Sequence, residues 1–145
     1  MALLRPGLVE GRLTAQASAV FRGVARAVLD GSLPEEAAER EAALRSHMAR
    51  LADALAAFPA ATQDELSQLL ALLASAPGRT LLAGLYKPWD EASVAEIQQA
   101  LQSMRVSPLA LRQQTYHALR DLTNATFYAD PGAWTLLGYP GPVPV

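Results

Sequence analysis

Apolar residues recur at steps of three and four along most of this chain, a spacing that places them on one face of an α-helix. The first such run begins after Thr14, a residue type that favours the N-cap, and stops at Asp30 and Gly31. Its repeating positions are Ala17, Phe21, Val24, Ala25 and Val28. The pattern predicts a first helix between these two signals.

Two longer helices are predicted next. Ser32 and Pro34 have the order of a cap and a first-turn proline, and Pro59 ends the helix that they open. Its apolar stripe is Leu44, Met48, Leu51, Leu55 and Phe58. Thr62 and Glu65 form a capping-box pattern for the third helix, which is apolar on nearly every side. An all-round apolar helix indicates burial, so we expect it in the middle of a bundle.

The C-terminal half continues the helical pattern. Residues 79–86 are expected to make two turns and residues 87–91 a loop, before Ser93 and Glu96 form a second capping box. Ser107 and the proline after it open the last long helix. The expected inward face of that helix is Leu111, Thr115, Ala118, Leu119, Leu122, Ala125 and Ala129.

The two ends of the chain lack helical periodicity. Residues 1–12 are expected to form an extended arm, and residues 130–145 contain four prolines and three glycines, which favour an extended tail. The predicted fold is therefore all-α, with residues 1–145 as a single helical domain. An irregular bundle of five to six helices occupies residues 13–129, between the arm and the tail.

Composition supports helices and excludes several functions. The chain has 29 Ala and 24 Leu but only nine Val and Ile together, a balance that disfavours a sheet. A net charge of −2 excludes the broad positive field of a dedicated nucleic-acid binder. The absence of cysteine excludes disulfides and thiolate metal sites. No apolar run approaches the roughly 20 residues that span a bilayer, so no direct membrane span is expected.

Candidate catalytic residues are few. His117, Asp121, Asn124 and Tyr128 follow one another at steps of four, three and four, so Asp121 is spaced to raise the basicity of the imidazole. The alternative is a solvated helix face, and His47 is expected to be a packed or edge histidine of the second helix. The sequence has no Gly-x-Ser-x-Gly motif, no metal-spaced histidine pair and no phosphate-binding glycine loop. We therefore expect no catalytic residue, metal or bound cofactor in this chain.

The aromatic residues suggest a protein interface instead. Seven of the nine aromatics lie in the C-terminal half, and both tryptophans lie in segments that contain proline. Aromatic residues are enriched at protein interfaces. The predicted partner-binding residues are Tyr86, Trp89, Trp134, Tyr139, Pro140 and Pro142. The alternative for both tryptophans is that they cap the ends of the bundle core.

Several stretches resemble a known family. Residues 81–89 read Leu-Leu-Ala-Gly-Leu-Tyr-Lys-Pro-Trp, and residues 134–142 read Trp-x-x-x-Gly-Tyr-Pro-Gly-Pro. With Ser107-Pro-Leu-Ala-Leu-Arg112 and Tyr116-His-Ala-Leu119 they resemble the small-subunit (subunit 3) family of gluconate 2-dehydrogenases. The resemblance covers roughly residues 62–143, and the terminal motif is its most specific part.

The resemblance implies a function in a complex. Members of that family accompany a large FAD-containing flavoprotein of the glucose-methanol-choline type, often with a cytochrome subunit as electron acceptor. The large subunit oxidises sugars, polyols or related alcohols, and the small subunit has no known active site. The resemblance therefore implies a non-catalytic accessory subunit that stabilises or helps export its flavoprotein partner.

Two alternatives and the location stay open. A free-standing helical adaptor or regulator without an enzyme partner is the competing class, and a small enzyme built on His117 and Asp121 is a third option. Many family members carry a twin-arginine signal, which implies a periplasmic location. The first residues of this sequence lack such a signal, so either a signal segment has been removed or this chain is a cytoplasmic member.

Overall fold

The computed structural model describes residues 6–128 and confirms the all-α class. The helices of this part are α1 (Ala15–Val28), α2 (Ala37–Ala56), α3 (Ala60–Ala74), the single turn α4 (Ala76–Gly78), α5 (Val94–Arg105) and α6 (Ala110–Tyr128). A π-helical turn, Arg79–Ala83, continues directly from α4. Two-residue strands β1 (Leu8–Val9) and β2 (Arg12–Leu13) precede α1. The predicted tail, with Trp134, Tyr139, Pro140 and Pro142, lies outside the described residues.

Helix α1 lies at the centre of the bundle and packs against α2, α3, α5 and α6. Its buried face is Ala17, Val20, Phe21, Gly23, Val24, Ala25 and Ala27. The small members of this face let neighbours approach closely: a Cβ on Gly23 would lie 3.2 Å from both the Ile97 side chain and the Trp89 carbonyl oxygen. The small buried residues of α1, rather than a high leucine content, explain its central position in the bundle.

The prediction that the third helix occupies the middle of the bundle was wrong. Helix α3 buries Leu70, Ala71 and Leu73, whereas Leu72 is 37% exposed. Leu66 and Leu69 are half-buried. Because leucines lie all around α3, the sequence pattern does not determine which side of the helix is buried. In the structure α3 lies at the outside of the bundle and packs against α1.

The predicted starts of α2 and α3 were also displaced. Helix α2 begins at Ala37, where the Glu36 side chain accepts hydrogen bonds from the backbone N–H groups of Ala38 and Glu39. Helix α3 begins at Ala60 without a side-chain cap. Gln63, inside the expected capping box, instead donates its side-chain amide to the carbonyls at the end of α2, those of Leu55, Ala56 and Phe58.

The caps of α1 and α5 agree with the sequence. Thr14 Oγ1 accepts a hydrogen bond from the N–H of Ala17 at 3.4 Å. At α5, Ser93 and Glu96 form a reciprocal capping box. In both cases the cap depends on groups within four residues, so local sequence determines the helix start.

The N-terminal arm is a small β-hairpin docked on α3. Leu8 pairs with Leu13 and Val9 with Arg12, and the turn residues Glu10 and Gly11 both have positive φ. Backbone hydrogen bonds join Gly7 N–H to the Ser67 carbonyl and Thr14 N–H to the Gly7 carbonyl. A Cβ on Gly7 would lie 2.5 Å from Leu70 Cβ, so glycine permits this close approach. The sequence pattern gave no sign of the strand pairing.

Helix α6 buries only part of the expected face, Thr115 and Leu119, while Ala118 and Leu122 of that face are half-buried. Its buried residues include Thr115, Leu119, Thr123 and Thr126, whereas Leu111 is 54% exposed and Ala125 is exposed. The hydroxyls of Thr115 and Thr126 donate to the carbonyls of Leu111 and Leu122, four residues earlier. These bonds satisfy the hydroxyls of Thr115 and Thr126 inside the helix, so the methyl groups of these two residues can pack in the core. The more apolar face of α6 is left largely uncovered in the described part.

None of the helices in residues 6–128 combines the length and the apolar character that crossing a bilayer requires.

Candidate protein-binding surface

The first exposed apolar surface is built around the segment of residues 84–92, here called the Tyr86 loop. Gly84, with φ +67°, reverses the chain at the end of the π-helical turn. Leu85 then enters the core, whereas the Tyr86 side chain is 78% exposed. The loop therefore projects a large aromatic ring into solvent next to a buried anchor.

Trp89 is the second anchor of the Tyr86 loop. Its side chain is only 3% exposed, and the indole Nε1 donates a hydrogen bond to the Leu73 carbonyl at 2.8 Å. Of the two alternatives for this residue, the structure places it in the core. The ring of Trp89 consequently offers no surface to a partner in this conformation, and the partner-binding assignment is corrected at this position.

Arginine side chains fix the backbone of the Tyr86 loop. Arg79 donates to the carbonyls of Leu85 and Tyr86, both at 3.2 Å. Arg26 of α1 donates to the carbonyls of Trp89 and Ala92, at 3.0 and 3.2 Å. Charge-assisted bonds of this kind are stronger than neutral ones. They join the backbone of the loop to Arg79 near its start and to α1 near its end.

Two ionisable side chains that contact the loop or its flank, Arg26 and Glu96, have a lowered pKa, and the cause differs between them. Burial lowers the pKa of Arg26, the charge of nearby Arg22 lowers it further, and Asp90 acts in the opposite direction. Lys87 forms an ion pair with Glu96 at 3.2 Å. The backbone hydrogen bond from Ser93 is the main cause that lowers the pKa of Glu96, and Lys87 adds to it.

Tyr86 lies at the edge of a cleft of about 390 Å³ between the loop and α5. The cleft is lined by Gly84, Leu85, Tyr86, Lys87, Glu96, Gln99, Ala100 and Ser103. Its polar members supply donors and acceptors beside the exposed ring. Such a mixture of an aromatic anchor and polar rim groups is typical of protein interfaces.

A second exposed apolar surface is a groove of about 630 Å³ between α3 and α6, here called the α3/α6 groove. Its apolar lining is Phe58, Leu66, Leu69, Leu111, Ala118, Leu122 and Ala125. Its polar lining is Thr62, Glu65, Gln114, Thr115, His117 and Asp121. The groove thus contains most of the α6 face that the sequence predicted to point inward.

His117 and Asp121 lie at this groove but do not form an ion pair in the described part of the chain. Asp121 lies 3.6 Å from the guanidinium of Arg120, and the ring of His117 meets the ring of Tyr116 edge-on at 5.2 Å. Both His117 and Asp121 are exposed. Within residues 6–128 no three His, Asp or Glu side chains cluster as a metal site. The geometry favours the solvated-face alternative for His117.

His47 is fully buried between α2 and α6, as expected of a packed histidine. Its Nε2 lies 3.1 Å from the Thr123 carbonyl oxygen, so Nε2 carries the proton that is donated. Its Nδ1 has no hydrogen-bond partner among the described residues. Burial lowers the pKa of His47, the hydrogen bond to Thr123 raises it, and Arg50 lowers it. The neutral imidazole is a structural group of the helix interface.

Of the six residues predicted to bind a partner, Tyr86 is exposed, Trp89 is buried, and the remaining four lie outside residues 6–128. The α3/α6 groove was missed, because an apolar helix face was assumed to be covered. A comparison with protein families, curated proteins and solved structures found no match to this chain.

Proposed function

We propose that this chain is a non-catalytic accessory subunit that binds a large FAD-containing dehydrogenase of the glucose-methanol-choline type. The observation that carries the binding function is the exposed Tyr86 on a backbone held by Arg79 and Arg26. The class of the partner rests on the resemblance of residues 62–143 to the gluconate 2-dehydrogenase small subunits. A cytochrome subunit is a further proposed member of the complex.

A small loss of conformational entropy and the burial of exposed apolar side chains would both favour binding of a protein to the Tyr86 loop. A fixed loop loses little conformational entropy on association, and preorganisation is a main source of affinity. Tyrosine is among the residues that most often dominate interface energy. Leu81, on the π-helical turn that leads into the loop, is also highly exposed. Burial of both side chains by a partner would remove apolar surface from water at small entropic cost.

The chemistry of the described residues supports an accessory role. His117 and Asp121, the candidate acid–base pair, are exposed and are not joined by an ion pair. His47 is sealed in the core, where a substrate has no access. In the proposed complex the FAD and the catalytic groups belong to the large subunit, and this chain supports the fold of that subunit.

The test is co-expression of the full chain with a candidate flavoprotein dehydrogenase of the glucose-methanol-choline type from the same genome. We expect the two proteins to elute together at a fixed ratio, with flavin absorbance in the large subunit and no flavin in the isolated chain. Failure of the two proteins to associate would contradict the proposal. Stable association with a protein that is not an oxidoreductase would favour the adaptor alternative.

A further inference from the structure

The α3/α6 groove is an apolar surface without a covering element in the described part of the chain. Leu66 and Leu69 line it from α3, and Leu122 and Ala125 line it from α6. Leu111 at the start of α6 lies in the same groove with more than half of its side chain in contact with solvent. Covering these side chains would remove apolar surface from water, which is favourable.

The length and the position of the remaining chain point to the segment that covers the groove. The described part of α6 extends to Tyr128, one turn beyond the groove residue Ala125, and seventeen residues follow Tyr128 in the sequence. The groove extends along α6 from Leu111 to Ala125, which is about 21 Å at 1.5 Å per residue. An extended chain covers that distance with about seven residues. The seventeen residues are therefore long enough to turn and run back along the groove.

The sequence after α6 supplies both a turn and an apolar strip. Asp130, Pro131 and Gly132 are residue types that favour chain reversal. Residues 133–137 then read Ala-Trp-Thr-Leu-Leu and carry no charge. Insertion of this strip would bury no charged group of its own. Thr62 and Gln114 in the groove offer acceptors for the indole N–H of Trp134.

The charged residues of the groove are compatible with this occupant. Glu65, His117 and Asp121 are all exposed, so they remain in water when an apolar strip covers the leucines between α3 and α6. A neutral strip neither requires nor disturbs the charges of the two carboxylates, Glu65 and Asp121. The groove therefore matches the chain's own apolar segment in chemistry and in point of origin.

We infer that residues 133–137 fold back into the α3/α6 groove, with Trp134, Leu136 and Leu137 seated on its apolar lining. The residues from Gly138 onward then leave the bundle as the free end that meets a partner. The docking of residues 133–137 does not depend on the proposed function, whereas the partner contact of the residues from Gly138 onward rests on it. It assigns the two parts of the tail different roles, one on the chain itself and one outside it.

The test uses the full chain with Trp89→Phe, which leaves Trp134 as the sole tryptophan. We expect blue-shifted Trp134 emission and severalfold weaker acrylamide quenching than for a free tryptophan amide. Two substitutions, Ala118→Arg and Ala125→Arg, place a long charged side chain in the groove and should expose Trp134. Ala42→Arg, at an exposed position of α2 outside the groove, is the matched control and should leave the quenching unchanged.

A second measurement covers the case in which Trp89→Phe unfolds the protein. Fluorotryptophan labelling of the otherwise unchanged chain gives one fluorine resonance for each tryptophan, and Trp134→Phe assigns them. The Trp134 resonance should shift on Ala125→Arg and not on Ala42→Arg.

Three results would overturn the inference. The first is a Trp134 as accessible to acrylamide as the free amide. The second is a protected Trp134 that neither groove substitution exposes, which would place it elsewhere. The third is protection that appears only at high protein concentration or only after addition of the flavoprotein, since the occupant would then be a second copy or the partner.

Discussion

His47 brings a titratable ring into the interface between α2 and α6, where only its neutral form is well accommodated. The unfolded chain has an imidazole pKa of about 6.5, and burial lowers the pKa of His47 in the folded chain. The unfolded state therefore binds more protons between the two pKa values. The contribution of His47 to the free energy of unfolding is fully present above about pH 6.5. It decreases as the pH falls below that value towards the pKa of His47 in the folded chain.

The pH dependence is measured by chemical denaturation of the wild type at pH 7.5 and at pH 5. We predict a lower free energy of unfolding at pH 5 and a much weaker pH dependence for His47→Gln, whose amide can still donate to the Thr123 carbonyl. His117→Gln is the control, and it should keep the wild-type pH dependence because His117 is exposed. An unchanged pH dependence in His47→Gln would show that other groups cause it.

At the scale of elements, the arginine contacts make the Tyr86 loop rigid. Arg79→Met keeps the aliphatic stem of the side chain and removes the donors to Leu85 and Tyr86. We predict faster amide hydrogen exchange in residues 84–92 and weaker binding of the partner, with a small loss of stability. Arg105→Met is the matched control, because the guanidinium of Arg105 donates to Gln102 of the same helix and, in residues 6–128, to no group of the loop. Equal exchange in both variants would mean that Arg79 does not restrain the loop.

The sequence predicts some features of the helices and not others. The caps at Thr14 and Ser93 were predictable, because each depends on hydrogen bonds between residues close in sequence. The buried side of α3 and part of the buried side of α6 were not, because several apolar faces were available and tertiary contacts determine which of them is buried. Trp89 illustrates the same limit: its buried state depends on Leu73, sixteen residues away.

At the scale of the whole molecule, the bundle and the end of the chain should be separable. Residues 138–145 contain three of the ten prolines and follow the proposed docking segment. We predict that deletion of residues 138–145 leaves helix content and melting nearly unchanged. Association with the large flavoprotein should weaken at least tenfold, about 1.4 kcal/mol, because a preorganised segment is lost. A truncated chain that melts much lower yet assembles normally would show that this end stabilises the bundle instead.

The central claim is that the Tyr86 loop anchors a flavoprotein partner, and the most direct measurement is the Kd of the complex by titration calorimetry. Loss of an interface tyrosine commonly costs about 2 kcal/mol, so Tyr86→Ala should raise the Kd roughly thirtyfold. Val9→Ala, at an exposed position of the hairpin, is the control and should bind like the wild type. If Tyr86→Ala binds as tightly as the wild type while both variants keep their fold, the Tyr86 loop does not carry the interface.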